Sequence, residues 1–309
     1  REKISKLGIH IKRSIQESGV GVRWVTSNEP TLSSVVVKTN RLLSEGVEIV
    51  LILEKERVHI GYTLAVQPFE ALEARDFSRP GRDTRSGMLP PKLARMLVNL
   101  TAAQTTKILL DPFCGSGTIL AEALLLGYTK IIGSDLDPLA IKNSKQNLDW
   151  MVKNKFIDSK STEAIKILEA DIRDLPNNIS GHSIDTIATE TFLGPPLRGH
   201  ETQDFLKKTV DSLADLYRDT LKVFNQILAP ASQAVIAFPL IRYKKMTLPT
   251  PVLSELDNYG MALADPLPKT LHIPKKLTVE FGRDKKTLIY GRADQHVWRE
   301  IAILKKTEN

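Results

Sequence analysis

The chain has 309 residues, 42% of them hydrophobic, enough for one large domain with a small one or for two medium domains. Lysine and arginine outnumber aspartate and glutamate by 43 to 36, and the resulting +7 suits a polyanionic partner such as nucleic acid as well as it suits a merely soluble basic protein. No apolar run approaches the roughly 18 residues of a membrane helix, the N-terminus has no apolar signal core, and a single cysteine, Cys114, excludes an internal disulfide and a cysteine-rich zinc site, so a cytoplasmic protein off the membrane is expected. The first residue is Arg1 rather than Met, which leaves residues upstream open.

Residues 1–79 read as a small α/β unit. SKLGIHIKRSIQESG has helical periodicity, and VGVRWV, SSVVVK, VEIVLIL and HIGYTLAVQ read as short strands. Basic residues are frequent here (Lys6, Lys12, Arg13, Arg23, Lys38, Arg41) and again at Arg75, Arg79, Arg82 and Arg85. FSRPGRDTRSGMLPP is rich in Pro, Gly and Arg, poor in apolar residues, and reads as a linker that sets a domain boundary. Beyond it PPKLARMLVNLTAA predicts a helix that starts on a proline pair.

From residue 105 strand and helix patterns alternate: KILLD, TILAEALLLG; KIIGSD, PLAIKNSKQNLDWMVKN; IKILEAD; IDTIATE, then a long amphipathic run from Asp204; then QAVIAFPLI. The pattern predicts a doubly wound α/β fold over residues 80–309, a Rossmann-like seven-stranded sheet with both faces covered. KTLIYGR and HVWREIAILKK are separated by a few residues, so they should pair antiparallel at one edge. The stripe Leu206, Val210, Leu213, Tyr217, Leu221 and Phe224 reads as core.

In an open parallel sheet, ligands bind at the carboxyl ends of the strands near the point where strand order reverses. The turn DPFCGSGT, residues 111–118, lies there. Its glycines, Gly115 and Gly117, let the backbone approach a ligand and adopt positive φ. A nucleoside triphosphate would want GxxxxGK[ST], and no lysine follows Gly117; a dinucleotide would want GxGxxG, and Leu120 stands at the third glycine's place. S-adenosylmethionine is the third candidate. In KIIGSDLDP, Asp135 ends the second strand, where a carboxylate accepts from both ribose hydroxyls, as it would for NAD. In ILEADIRDLP, Asp171 ends the third, placed for an adenine amino group, and Asp111 suits the cationic end of a ligand better than a pyrophosphate. Any one of these aspartates is readable as a helix cap or turn residue; three at successive strand ends point to a ligand site.

DPFCGSGT, GSDLDP and EADIRDLP resemble the first three motifs of class I S-adenosylmethionine-dependent methyltransferases, specifically the THUMP-associated tRNA guanosine-N2-methyltransferases. RPGRDTRSGMLPPKLARMLVNL is similar to the segment that precedes the first motif in that family and helps close over the methionine end of the cofactor. The resemblance covers residues 60–240 well and residues 1–79 loosely, as the end of a THUMP-containing, RNA-binding region. It implies S-adenosyl-L-methionine contacts from Asp111, Gly115, Gly117, Asp135, Leu136 and Asp171, and from Gly87 and Met88 of the upstream segment. It implies RNA, as tRNA, for the partner, and names no activating subunit.

Enzymes that methylate an exocyclic base amine carry [ND]PP[YFW] after the fourth strand, presenting hydrogen-bond acceptors to the amine and an aromatic face to the base. Here the segment reads SIDTIATETFLGPPLRG. Glu190 falls at the acidic position, Thr191 replaces the first proline, and Phe192 arrives one position early. Two readings stand: Glu190 supplies the acceptor and Phe192 the stacking face, or the motif has decayed and the domain is a non-catalytic RNA-binding protein. A DNA adenine or cytosine amino-methyltransferase shares the same motif logic. Cys114 reads as a small packed residue, so attack of a cysteine on a pyrimidine ring is excluded. The histidines show no metal-ligand spacing, and no metal is expected.

Overall fold

The computed structural model describes residues 2–29, 31–82, 88–244, 246–268, 270–271 and 279–307, with the side chains of 2 and 3 left aside. The chain forms two compact units, Arg1–Ala74 and Arg75–Asn309. No described helix is long and apolar enough to cross a membrane.

In the smaller unit, α1 (Glu2–Glu17) is the helix expected from its periodicity. SSVVVK, expected as a strand, is instead the short helix α2 (Ser34–Thr39): the Ser33 side chain caps it by accepting from the Val36 amide, and that local bond overrides β-propensity. VGVRWV forms no strand. VEIVLIL and HIGYTLAVQ supply β1 (Ile49–Leu53) and β2 (Val58–Tyr62), an antiparallel pair exposed along its whole length, and α3 (Phe69–Glu73) follows.

The larger unit begins with α4 (Pro91–Leu100) and alternates β3 (Leu109–Asp111), α5 (Thr118–Leu125), β4 (Ile131–Asp135), α6 (Pro138–Lys153), β5 (Ile165–Glu169), α7 (Leu175–Asn178), β6 (Ile184–Glu190), α8 (Gln203–Ile227) and β7 (Leu228–Tyr243). Short strands β8 (Met246–Pro249), β9 (Met261–Leu263), β10 (Glu280–Gly282) and β11 (Thr287–Tyr290) follow, then the longer β12 (Val297–Lys306). Among the described residues the sheet has ten strands, in the order β10-β11-β12-β7-β6-β3-β4-β5 with β8 on β7 and β9 on β12. β3 to β7 are mutually parallel, whereas β12 runs antiparallel to β7 and β11 antiparallel to β12. The seven strands read from the sequence are its frame, and β8, β9 and β10 are additions too short for a pattern to show. β11 and β12 do pair antiparallel, but β12 lies inside the sheet, because its run of buried residues must be covered from both sides.

Each face carries its own core. Leu93 and Leu97 of α4 and Leu120 of α5 pack with Leu109, Ile131, Ala237 and Ile301 on one side; Tyr217, Leu221 and Phe224 of α8 pack with Leu110, Ile187 and Phe238 on the other. The α8 stripe is core, as its spacing predicts.

The segment read as a linker is part of the larger unit. Arg75 and Arg79 are buried, not solvated. Arg75 Nε donates to Glu122 Oε1 at 2.7 Å, and Arg95 Nε donates to Glu122 Oε2 at 2.9 Å, so α5's one acidic side chain is held from two directions. Gly81 N donates to Asn147 Oδ1 and Asn147 Nδ2 donates back to Gly81 O, each at 2.8 Å, which fastens the strap to α6. Low apolar content misleads here because partners inside the fold take up most of the polar groups, Arg79 Nε excepted. Arg85 and Gly87 lie outside the described residues.

Candidate functional site

Strand order reverses at β3, with β4 and β5 on one side and β6 and β7 on the other. A cleft of about 310 Å³ opens there, at the carboxyl ends of β3, β4 and β6. Met88, Asp111, Gly115, Asp135, Glu190 and Phe192 all line it, together with Thr191 and Gly194. Leu136, Asp171 and Gly117 do not appear in its lining, and Gly87 lies outside the described residues.

The turn from β3 to α5 requires its glycines. Gly115 has φ +51 and nothing within 4 Å of where a Cβ would stand, so its bare backbone faces open space. Gly117, φ +81, is the N-cap of α5, and a Cβ there would come within 2.4 Å of Ser144 Oγ. Gly115 shapes the cleft, while Gly117 lets α5 pack on α6.

Asp111 is 1% exposed and accepts from Thr189 Oγ1 at 2.7 Å and from the Phe113 amide at 3.3 Å. Burial outweighs those bonds and pushes its carboxyl up to about 7. Asp135 accepts from the Gly115 amide at 2.8 Å through Oδ2 and from the Asp137 amide at 2.9 Å through Oδ1. Its carboxyl is also raised, by burial first, with the backbone donors opposing. Each oxygen keeps a lone pair for a further donor. Asp171 stands at the end of β5, where it caps a turn through the Arg173 amide and holds the Arg173 guanidinium with both oxygens, at 2.9 and 2.8 Å. That arginine keeps its carboxyl below the usual range. Leu136 is largely exposed beside Asp135.

At the end of β6, the polar groups of Thr191 are taken up within the sheet: its amide and its hydroxyl both donate to Ala237 O at 3.1 Å. The strand pairing therefore continues one residue beyond Glu190. Phe192 O accepts from Tyr217 OH at 2.6 Å while the Phe192 ring is half exposed, so its backbone is fixed and its face is free. Gly194, φ +92, turns the chain away. Glu190 Oε1 accepts from Arg299 Nε at 2.6 Å, an ion pair in which both side chains are mostly buried. Arg299 is the residue that motif reading misses. Its signal is an arginine in the alternating run of HVWREIAILKK, on the face shared by Ile301 and Ile303.

Cys114 is buried, its amide donates to Ser134 O at 2.9 Å, and burial pushes its thiol well above the usual value, which leaves a packed residue rather than a nucleophile. Among the described residues no cluster of His, Cys, Asp and Glu is arranged to hold a metal.

The chemistry of the lining favours a cationic ligand. Asp111, Asp135, Asp137 and Glu190 all face the cleft, and among the described residues no Lys, Arg or His joins them. A pyrophosphate placed there would meet like charge, whereas a sulfonium and an ammonium group would be stabilised. Asp135 with the bare backbone of Gly115 fits a ribose. The residues present therefore fit S-adenosylmethionine and fit NAD poorly.

Comparison with known proteins agrees with this geometry. Among curated relatives, the tRNA (guanine(10)-N2)-dimethyltransferase of Pyrococcus abyssi is 34% identical over 167 residues, 54% of this chain and 42% of that protein. Its counterpart in Methanothermobacter thermautotrophicus is 30% identical over 128 residues, 41% of this chain and 34% of that protein. The mouse tRNA (guanine(6)-N(2))-methyltransferase THUMP3 is 28% identical over 152 residues, 48% and 28% of the two chains. In each case the match spans less than half of the relative's length. The crystal structure of TrmN from Thermus thermophilus aligns with a TM-score of 0.48 at 21% identity, over 91% of this chain and 69% of that one. A family model described as UPF0020, RMKL-like, methyltransferase domain matches residues 79–247. That match runs over more than half of the chain, which belongs to the UPF0020, RMKL-like methyltransferase domain family.

Proposed function

We propose that the chain transfers a methyl group from S-adenosyl-L-methionine to an exocyclic amine of RNA, guanosine N2 in tRNA. The observation that carries this reading is the cleft itself: a lining that is acidic and, among the described residues, free of cations, and that ends on a carboxylate, Glu190, beside a half-exposed aromatic ring, Phe192. The relatives named tRNA (guanine(10)-N2)-dimethyltransferases supply the substrate.

S-adenosylmethionine, when bound, supplies an electrophilic methyl on a sulfonium. Asp135 accepts from the ribose hydroxyls, and Gly115 admits the sugar because no side chain fills its place. Exposed Leu136 offers an apolar face to the adenine, and Asp171 at the neighbouring strand end would meet its amino group through Oδ2, which takes a single donor from Arg173 and keeps a lone pair. Asp111 would face the cationic methionine end, with Met88 of the upstream segment in the same lining. Gly117 holds α5 in the place that the turn requires.

The lone pair of a base amine is delocalised into the ring. Glu190 accepts a hydrogen bond from the amine and draws that lone pair out of conjugation, and Phe192 stacks on the base that presents it. Arg75 and Arg79 are committed to Glu122 and Thr118, so of the arginines there it is exposed Arg82 that remains open to a phosphate. Tethering to the polyanion is left to exposed basic residues, with residues 1–74 contributing.

The test is incubation of the full chain with tritiated S-adenosylmethionine and unmodified tRNA, followed by mass spectrometry of the nucleosides. N2-methylated guanosine is the expected product. Label appearing only in DNA would move the substrate to an adenine or cytosine amine of DNA, and binding of both ligands without transfer to any nucleic acid would make the chain a binding scaffold.

A further inference from the structure

We infer that Arg299 is a positioning residue for the reaction: it clamps one oxygen of Glu190 so that the other is held toward the base amine. The inference rests on the proposed function, because it gives Glu190 its task.

The geometry follows from strand register. Glu190 of β6 stands opposite Ala237 of β7, Ala237 opposite Ile301 of β12, and Pro239 opposite Arg299. Residues two apart on a strand share a face, so Glu190, Ala237, Pro239, Ile301 and Arg299 all project to the same side of the sheet. β7 lies between the two charged residues, and neighbouring strands are roughly 4.8 Å apart. The pair must therefore reach across about two strand spacings. Ala237 and Pro239 are the β7 residues on that face, and their short side chains leave room for Arg299 Nε to come within 2.6 Å of Glu190 Oε1.

Arg299 is the one buried charge on that face of β12, whose following residues, Ile301 and Ile303, belong to the apolar core. An arginine buried there without a carboxylate would be costly, and the carboxylate that it finds is the one at the cleft. Glu190 Oε2 accepts from no protein donor among the described residues, and Glu190 lines the cleft. One oxygen is thus anchored and the other is left for a ligand. The backbone is fixed independently, through Thr191 and Ala237 O. A glutamate has one more rotatable bond than the shorter acidic or amide residue usual at this position. The guanidinium removes that extra freedom, which explains how a glutamate serves here.

The experiment is single-turnover transfer of tritiated methyl from S-adenosylmethionine to unmodified tRNA by the full chain, with binding of S-adenosylhomocysteine and of tRNA measured on the same samples. Arg299→Met, similar in length and uncharged, is expected to lower the transfer rate constant by about 30-fold or more, because misplacing a reacting group by an ångström loses on the order of 100-fold. Both affinities should stay within about twofold. In a Glu190→Gln background, Arg299→Met should lower the rate less than about threefold, since residues acting through one another are not additive. Transfer by Arg299→Met at the wild-type rate, or an equal loss in both backgrounds, would overturn the inference while leaving the proposed function standing. If Arg299→Met does not fold, Glu190→Gln is compared with Glu190→Gln/Arg299→Gln, in which no buried charge is left unpaired. Equal rates support the clamp and a further large loss overturns it. A wild-type chain that transfers nothing refutes the proposed function and takes this inference with it.

Discussion

Asp111 is a carboxyl that folding makes hard to ionise, and replacing it with asparagine isolates that effect. Asparagine keeps an oxygen to accept from Thr189 Oγ1 and from the Phe113 amide, so the packing and both hydrogen bonds survive. Burial raises the folded-state value from 3.8 to about 7. The folded chain therefore binds this proton more tightly than the unfolded chain does. The stabilisation is fully present below pH 3.8, is lost as the pH rises toward about 7, and is absent above it. At 1.36 kcal/mol per pH unit the whole effect is roughly 4 kcal/mol, of which about 3 kcal/mol falls between pH 5 and 8. Urea unfolding of both proteins at pH 5, 6, 7 and 8 measures it. Asp111→Asn should gain about 3 kcal/mol relative to wild type across that range, mostly below pH 7. A difference between the two proteins that does not change with pH would mean that Asp111 ionises freely in the fold and that burial does not govern its proton.

The same proton should couple to the ligand. A cation beside Asp111 favours its ionised form, so S-adenosylmethionine should bind more weakly as the pH falls below about 7, with proton release visible by calorimetry in buffers of different ionisation enthalpy. Asp135→Ala should weaken binding of S-adenosylmethionine by at least about 1 kcal/mol, because two ribose hydroxyls lose a charged acceptor; calorimetry showing unchanged affinity would remove the cofactor assignment. Glu190→Gln should lower single-turnover methyl transfer by roughly 100-fold while leaving cofactor and tRNA affinities in place. Phe192→Ala should weaken capture of the base by about 1 to 3 kcal/mol, read as a rise in the tRNA concentration needed for half-maximal transfer. Arg75→Met leaves Glu122 with Arg95 alone and should destabilise the larger unit by roughly 3 kcal/mol in urea unfolding; a chain truncated to begin at Ser86 loses the same contact, so a truncation that asks what residues 1–74 do must begin at Arg75.

The parts of the site legible in the sequence are those made within one strand-turn-helix unit. Gly115 and Gly117 have positive φ, Asp135 ends its strand facing the turn, and β3, β4 and β6 end together at the cleft, all within the reach of periodicity and turn chemistry. SSVVVK fails for a local reason, since a cap at Ser33 decides the conformation of a run that side-chain type alone assigns to a strand. Asp171 shows a different limit: strand-end position was legible, but not that Arg173 two residues later would occupy both of its oxygens. The N-terminal strands suffer in the same way, because residues that look β-prone acquire structure only from what they pair with.

What the pattern could not name were partners distant in sequence, although a charge on an apolar face requires one. TILAEALLLG is an apolar helix interrupted by Glu122, and a carboxylate there is tolerated only if a cation is buried with it. The cation that enters is Arg75, two residues ahead of the segment read as a linker. HVWREIAILKK makes the same demand with the sign reversed: Arg299 on an apolar face requires a carboxylate. The carboxylate that answers it lies 109 residues away, at the end of a strand that is not even its neighbour. Hydrophobic periodicity fixes which face a charge is on, and the desolvation penalty fixes that it must be paired. Only the sheet order, β6-β7-β12, makes Glu190 the partner and so joins a core arginine to the proposed chemistry.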